Sequence, residues 1–217
     1  MDQRKRGRRS LVTGMGAAAA LALTGTRAAA QAPPAPAAFQ PARHDQDAWF
    51  DKLPGRHRMI LDATTAAGAG EAIGFANNLF AGNSAGYGLK ENDLAMVICL
   101  RHFATLFAFT DPLWAKHGKQ MASMIKYESR TGEPPSANPH NTAPRAALDG
   151  LAKRGVHFIV CDMASHRFAR ALAGSGDGEA VYKEMAANMI PNSRFAAAGV
   201  VGVTRAQEYG YSLLFVG

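Results

Sequence analysis

The chain has 217 residues, 47% of them hydrophobic, with 24 Lys and Arg against 17 Asp and Glu. Residues 1–30 hold six of those basic residues and one of the acidic ones, which leaves 18 and 16 in the rest of the chain. Because the remainder is nearly neutral, it has no electrostatic footprint for nucleic acid, and we exclude that class of partner.

Residues 1–30 have the three regions of an export signal in the usual order. A basic start is followed by an apolar stretch over 11–24 and by the small residues 28–30. Arg8 and Arg9, followed by Ser-Leu-Val, resemble a twin-arginine signal peptide. The apolar stretch is too short and too weakly apolar to span a membrane. We therefore predict cleavage after Ala30, export to the periplasm by the twin-arginine route, and a mature chain without a membrane span.

Residues 31–55 are predicted to connect the signal to the folded domain. Residues 31–44 are rich in Pro and Ala, which is typical of an extended linker. A short helix over 45–53 would dock on the domain through Trp49, Phe50 and Leu53. The remaining residues, 56–217, are enough for one domain with its own core.

Strand-like and helix-like segments alternate along that domain. The predicted strands are 57–62, 93–100, 156–161, 194–197 and 211–216. The predicted helices are 70–80, 111–126, 145–153, 168–172, 179–189 and 200–208. This alternation predicts an α/β fold, with a mostly parallel sheet and helices on both faces in a flavodoxin-like arrangement. In flavodoxin-like sheets the first strand lies between the second and the third. The polar loop over 128–143 has a length typical of a functional lid or of a disordered segment.

The predicted third strand ends in Cys161 and is followed by a helix. Ligands bind at the carboxyl edge of open α/β sheets, so Cys161 would lie at a binding edge. A helix N-terminus and nearby cations favour the thiolate form of a cysteine, and His166 and Arg167 are two potential cations close by in the sequence. A free cysteine is also among the most buried residue types, so Cys161 could instead only fill the core.

Polar residues at the other strand ends share this predicted edge. Asp62 ends the first strand, and Arg101 and His102 follow the second. We predict that these three bind substrate together with Ser165 and His166, with Arg101 and His102 contacting an anion. Asp62, His102 and Cys161 are possible ligands for a soft or borderline metal. Since no short ligand spacing is present, we predict no cofactor.

The two cysteines of the chain, Cys99 and Cys161, are predicted not to form a disulfide. In the flavodoxin-like strand order they would lie two strands apart, at roughly 9.6 Å. A disulfide requires Cα atoms within about 7 Å.

Two motifs are similar to the DsrE/DsrF-like family of sulfur-relay proteins. One is Gly-Val-His-Phe-Ile-Val-Cys-Asp, residues 155–162, and the other is Ala-Gly-Val-Val, residues 198–201, which continues through residues 205–211. The resemblance covers about residues 56–217. It implies a small α/β fold that assembles into homo-oligomers. It also implies that Cys161 carries sulfur as a persulfide, exchanged with a donor or acceptor protein.

Two functions remain open from the sequence. In the first, the protein is a periplasmic sulfur carrier or transferase with Cys161 as its nucleophile. In the alternative, it is a non-catalytic periplasmic protein that binds a small ligand or a metal or assists assembly, and Cys161 is structural. The reactivity of Cys161 in the folded protein distinguishes them.

Overall fold

Five parallel strands form one sheet in the computed structural model, which describes residues 40–141 and 147–217. The strands are β1 (His57–Ala63), β2 (Leu94–Leu100), β3 (His157–Cys161), β4 (Ser193–Ala196) and β5 (Ser212–Val216). Their order across the sheet is β4-β3-β2-β1-β5. The predicted α/β class with a parallel sheet is confirmed. The predicted export signal and most of the linker lie outside the described residues.

Seven α-helices occur in the described part of the chain. They are α1 (Trp49–Lys52), α2 (Ala66–Tyr87), α3 (Asp111–Met124), α4 (Leu148–Lys153), α5 (Asp162–Ala173), α6 (Gly178–Ala187) and α7 (Gly199–Glu208). Three 3₁₀ helices cover Asp45–Asp47, Glu91–Asp93 and His102–Ala108. Within the described ranges, none of these helices has the length and apolar character needed to cross a bilayer.

Two helix starts differ from the prediction. Helix α2 begins before residue 70 because Thr65 caps it, its side-chain oxygen accepting a hydrogen bond of 2.9 Å from the N–H of Gly68. Helix α5 begins at Asp162, directly after Cys161, whereas the sequence pattern predicts it only from residue 168. The first residues of the helix predicted over 145–153 fall in the segment that the structure does not describe.

Alternation along the strands separates two hydrophobic layers, because successive side chains point to opposite faces. On one face, Leu61, Ile98 and Phe158 belong to the core cluster that includes residues of α2 to α6. On the other face, strand residues such as Val97 and Ile159 pack with α7 and the region of α1. Helices therefore cover both faces, as predicted.

The predicted short helix is present as a 3₁₀ turn followed by α1, and it docks on the α7 face. Phe50 is 1% exposed and Leu53 is 8% exposed. Trp49 is only partly buried and stacks on Phe50, with ring centroids 3.9 Å apart. The docking face predicted from these three residues is confirmed.

The strand order corrects one prediction: β2, and not β1, lies next to β3. Each crossover from β1 to β4 advances one strand along the sheet and uses helices on the same face. Helix α7 then carries the chain back over the opposite face to the free side of β1. Since crossovers between parallel strands are right-handed, a return in the opposite direction requires the opposite face.

With this strand order the two cysteines are not two strands apart, so the predicted absence of a disulfide needs another explanation. The strands that carry Cys99 and Cys161 are adjacent, and Cys99 pairs with Ile159, two residues before Cys161. One strand spacing combined with two residues of rise still separates the two Cα atoms by about 8 Å. That distance exceeds the range for a disulfide, and both cysteines are free thiols.

The long polar loop is anchored to the domain as far as residue 141. The side-chain amide of Asn138, which is fully buried, donates hydrogen bonds of 2.8 Å to the carbonyls of Phe107 and Phe109. Its backbone N–H donates to the carboxylate of Asp111 at 2.9 Å. Asn138 therefore fixes the loop to the start of α3 and to the preceding 3₁₀ helix.

We expect the substitution Asn138→Ala to lower the free energy of unfolding by about 2–3 kcal/mol, because it leaves two buried carbonyls without their donor. Urea unfolding followed by circular dichroism measures the change. The matched control is Asn92→Ala, at an exposed position, which should stay within about 0.5 kcal/mol of the native protein. Equal losses for both variants would contradict the anchoring role.

Candidate functional site

A cleft opens where the chain changes from one face of the sheet to the other. Strand β3 continues into α5 on one face, and its neighbour β4 continues into α7 on the opposite face. Carboxyl ends of adjacent strands that diverge in this way form the usual ligand crevice of open α/β sheets. The cleft here has a volume of about 310 Å³. Its wall contains Cys161, Arg101, His102, Arg167 and the first residues of α7.

Cys161 and Cys99 occupy different environments. Cys161 is 8% exposed and lies in the cleft wall at the N-terminus of α5. Cys99 is fully buried, and its thiol donates to the carbonyl of Gly199 at 3.6 Å. Burial, with a smaller effect of the Asp62 carboxylate, raises the pKa of the Cys99 thiol well above its usual value. The cleft therefore presents Cys161, while Cys99 lies in the packed layer of the sheet.

Arg101 is fixed by a two-pronged ion pair with Asp62. Its Nε and one terminal nitrogen donate to the two carboxylate oxygens at 2.7 Å and 2.9 Å. Hydrogen bonding to Asp62 raises the pKa of Arg101, against the opposing effect of partial burial. The Asp62 side chain is 5% exposed and that of Arg101 is 23% exposed. Asp62 therefore positions Arg101 from behind the cleft wall.

Glycine at position 199 permits the close approach of α7 to Arg101. A Cβ added at Gly199 would overlap the Cβ of Arg101 and press on its next two carbons. The absence of a side chain lets the helix N-terminus and the arginine share one wall of the cleft. This close approach is a physical reason for a glycine in the second motif, residues 198–201.

His102 and Arg167, the other two basic residues that line the cleft, are exposed. His102 has a backbone φ of 54°, in the left-handed region that residues other than glycine rarely adopt. Its ring lies against Phe103, with centroids 4.2 Å apart. The guanidinium of Arg167 lies 4.8 Å over the ring of Phe168.

The structure brings some of the predicted site residues together and separates others. Cys161, Arg101 and His102 line one cleft. Ser165 is fully buried, and its hydroxyl donates to the carbonyl of Cys161 at 3.0 Å. His166 stacks on Tyr182, with ring centroids 3.7 Å apart, on the side of α5 that faces α6. Ser165 and His166 are not among the residues that line the cleft.

Arg167 and the start of α7 complete the cleft. The sequence indicated Arg167 only as a cation near Cys161, and neither Arg167 nor the start of α7 was among the predicted binding residues. Because α5 begins at Asp162, Arg167 lies within the helix and its side chain is directed toward the cleft. The predicted start at residue 168 left Arg167 outside the helix, so its direction could not be inferred. The start of α7 belongs to the cleft only because β4 is the neighbour of β3.

No group of three His, Cys, Asp or Glu side chains in residues 40–141 and 147–217 is arranged to hold a metal ion. Of the possible ligands considered from the sequence, Asp62 is engaged with Arg101. The described residues therefore offer the cleft a thiol and cations rather than a metal-binding set.

The electrostatics of the cleft favour an anion. Arg101 is largely neutralised by Asp62, whereas Arg167 has no acidic partner among the described residues. Two helix N-termini, those of α5 and α7, add partial positive charge. Such a site is suited to an anionic ligand.

Comparison with known proteins gives little beyond the fold. No family model matches the sequence, and no curated protein matches it. Among solved structures, the chain is similar to a protein of unknown function, MTH1491, from Methanobacterium thermoautotrophicum. The two are 13% identical with a TM-score of 0.41, and the match covers 74% of this chain and 99% of that one. A likeness of this degree says nothing about function.

We expect Gly199→Ala to lower the free energy of unfolding by about 1–3 kcal/mol, because the new methyl group must displace Arg101 or α7. Urea unfolding measures the loss. The control is Gly74→Ala on α2, where an added Cβ meets no atom within 4 Å. That variant should be neutral or more stable by up to about 1 kcal/mol. A Gly199→Ala variant as stable as the control would show that α7 and Arg101 do not approach each other this closely at Gly199.

Proposed function

We propose that the protein is a sulfur carrier of the DsrE/DsrF-like type, in which Cys161 holds sulfur as a persulfide. The observation that carries the proposal is the position of Cys161 in a cleft lined by two arginines and a histidine, at the carboxyl ends of parallel strands. The motifs around residues 155–162 and 198–201 support the same assignment by resemblance.

The proposed transfer is a thiol–persulfide exchange. The thiolate of Cys161 attacks the outer sulfur of a donor persulfide, R–S–SH, and forms a new S–S bond. The S–S bond of the donor breaks, and its inner sulfur leaves as the thiolate R–S⁻. Release of sulfur to an acceptor thiolate is the same reaction in reverse. The exchange is balanced without an external oxidant or reductant.

Each cleft residue has a role in this reaction. Arg101 and His102 contact the anionic sulfur species, and Arg167, which also lines the cleft, adds a positive charge. Asp62 acts through Arg101, whose guanidinium it holds in one orientation. Charge-assisted donors that are fixed before the reaction stabilise a developing thiolate more effectively than mobile ones.

The proposed setting is the periplasm, reached through the twin-arginine signal, with the protein as a homo-oligomer. An assembly of copies is supported by β5, which has a free edge in the described sheet. Leu213, Leu214 and Phe215 on this strand are 42%, 41% and 60% exposed. The strand contains no charge or proline to protect that edge, and such edges pair readily with another chain.

We expect glutathione persulfide to transfer one sulfur atom to the native protein, seen as the corresponding gain in intact mass that dithiothreitol reverses. Cys99→Ser should gain the same mass, and Cys161→Ser should gain none. Sulfur uptake by Cys161→Ser equal to that of the native protein, or no uptake by the native protein, would refute the proposal.

Two arginine variants test whether the rate of sulfur transfer depends on the charge in the cleft or changes with the loss of any arginine. Arg101→Gln should slow the transfer about tenfold or more, since one charge-assisted hydrogen bond contributes roughly 1.5–3 kcal/mol. The control is Arg58→Gln, because Arg58 is 25% exposed and also pairs with an aspartate, the more exposed Asp51 on α1. Arg58→Gln should transfer sulfur at the native rate.

A further inference from the structure

A second cleft, of about 430 Å³, lies on the other side of α7. It is bounded by the segment that contains α1, by β4 and the residues after it, and by the first two turns of α7. It shares no lining residue with the Cys161 cleft. Its volume falls within the range of small-molecule sites, about 300–1,000 Å³.

One wall of this second cleft carries an arginine that has no counter-charge among the described residues. The guanidinium of Arg194 lies 4.0 Å over the ring of Trp49. Its Nε is buried and has no hydrogen-bond partner within the described ranges. Burial lowers the pKa of Arg194, and no carboxylate in residues 40–141 and 147–217 opposes that effect. A guanidinium that is partly removed from water without an acidic partner is costly, and an anionic ligand would offset the cost.

The same cleft also contains an unmatched acceptor. One carboxylate oxygen of Asp47, Oδ2, is buried and lacks a hydrogen-bond partner in the part of the chain that the structure describes. Asp47 and Arg194 both line the cleft, yet they form no ion pair with each other in the structure. The cleft thus has a donor that needs an anion and an acceptor that needs a donor.

Part of the remaining lining is apolar. Trp49 is held between Arg194 on one side and the stacked ring of Phe50 on the other. Ile159 and Ala196 form apolar lining, and Gly202 lets α7 pack directly on both of them. A further cation of the lining, Arg205, already pairs with Glu208.

We propose that this second cleft binds a free α-amino acid with an apolar side chain. Its carboxylate accepts from Arg194, its ammonium group donates to Asp47, and its side chain covers the apolar lining. The site is independent of the persulfide chemistry proposed for Cys161, because the two clefts have no residue in common.

Isothermal titration calorimetry of the native protein with L-leucine and L-phenylalanine tests the proposal. Two capped analogues, L-leucinamide and N-acetyl-L-leucine, each remove one charge of the zwitterion. Both should bind at least tenfold more weakly than L-leucine, a difference of about 1.4 kcal/mol. Because this comparison uses only the native chain, it does not depend on any variant folding.

Variants assign each end of the ligand. Arg194→Gln should bind L-leucine and L-leucinamide equally, and Asp47→Asn should bind L-leucine and N-acetyl-L-leucine equally. Arg56→Gln, at an exposed position outside the cleft, should bind as the native protein does, and so should Cys161→Ser. The proposal is overturned if the native protein binds neither amino acid at millimolar concentrations, or if it binds the capped analogues as well as L-leucine. Unchanged discrimination in Arg194→Gln would also overturn it.

Discussion

The right-handed crossover between parallel strands is the constraint on which this molecule depends. The chain adds β2, β3 and β4 in one direction with their helices on one face, and a single return, through α7, uses the other face. The helices that follow β3 and β4 must therefore diverge. Their divergence opens the cleft above Cys161 and brings two positive helix ends to it.

Contacts around that cleft fix the position of Arg101. The carboxylate of Asp62 holds Arg101, and Gly199 lets α7 approach the same arginine. Removing Arg101 would leave the buried carboxylate of Asp62 without its counter-charge, which destabilises the folded state. The position of Arg101 is therefore part of the fold, and the fold supplies the cleft with a cation whose orientation is fixed before any ligand binds.

Much of this architecture could be predicted from the sequence, because the signals are local. Each buried strand has its own apolar run, and Cys161, Arg101 and His102 reach the edge because each ends or follows a strand. The order of the strands is a non-local property, so the flavodoxin-like order was a wrong expectation. The orientations of Ser165, His166 and Arg167 depend on where α5 begins, and a start at Asp162 turns only Arg167 toward the cleft.

The central claim is that Cys161 is a reactive thiol in a cationic cleft. The ratio of two alkylation rates at Cys161, measured on the native protein, tests this claim most directly. Iodoacetate carries a negative charge and iodoacetamide is neutral. The rate with iodoacetate divided by the rate with iodoacetamide therefore rises with the positive potential at the thiol. The account predicts a ratio well above that of a cysteine in an unstructured peptide, a lower ratio in Arg101→Gln, and no labelling of the buried Cys99. A ratio equal to that of the peptide, or labelling of Cys161 only after unfolding, would contradict it.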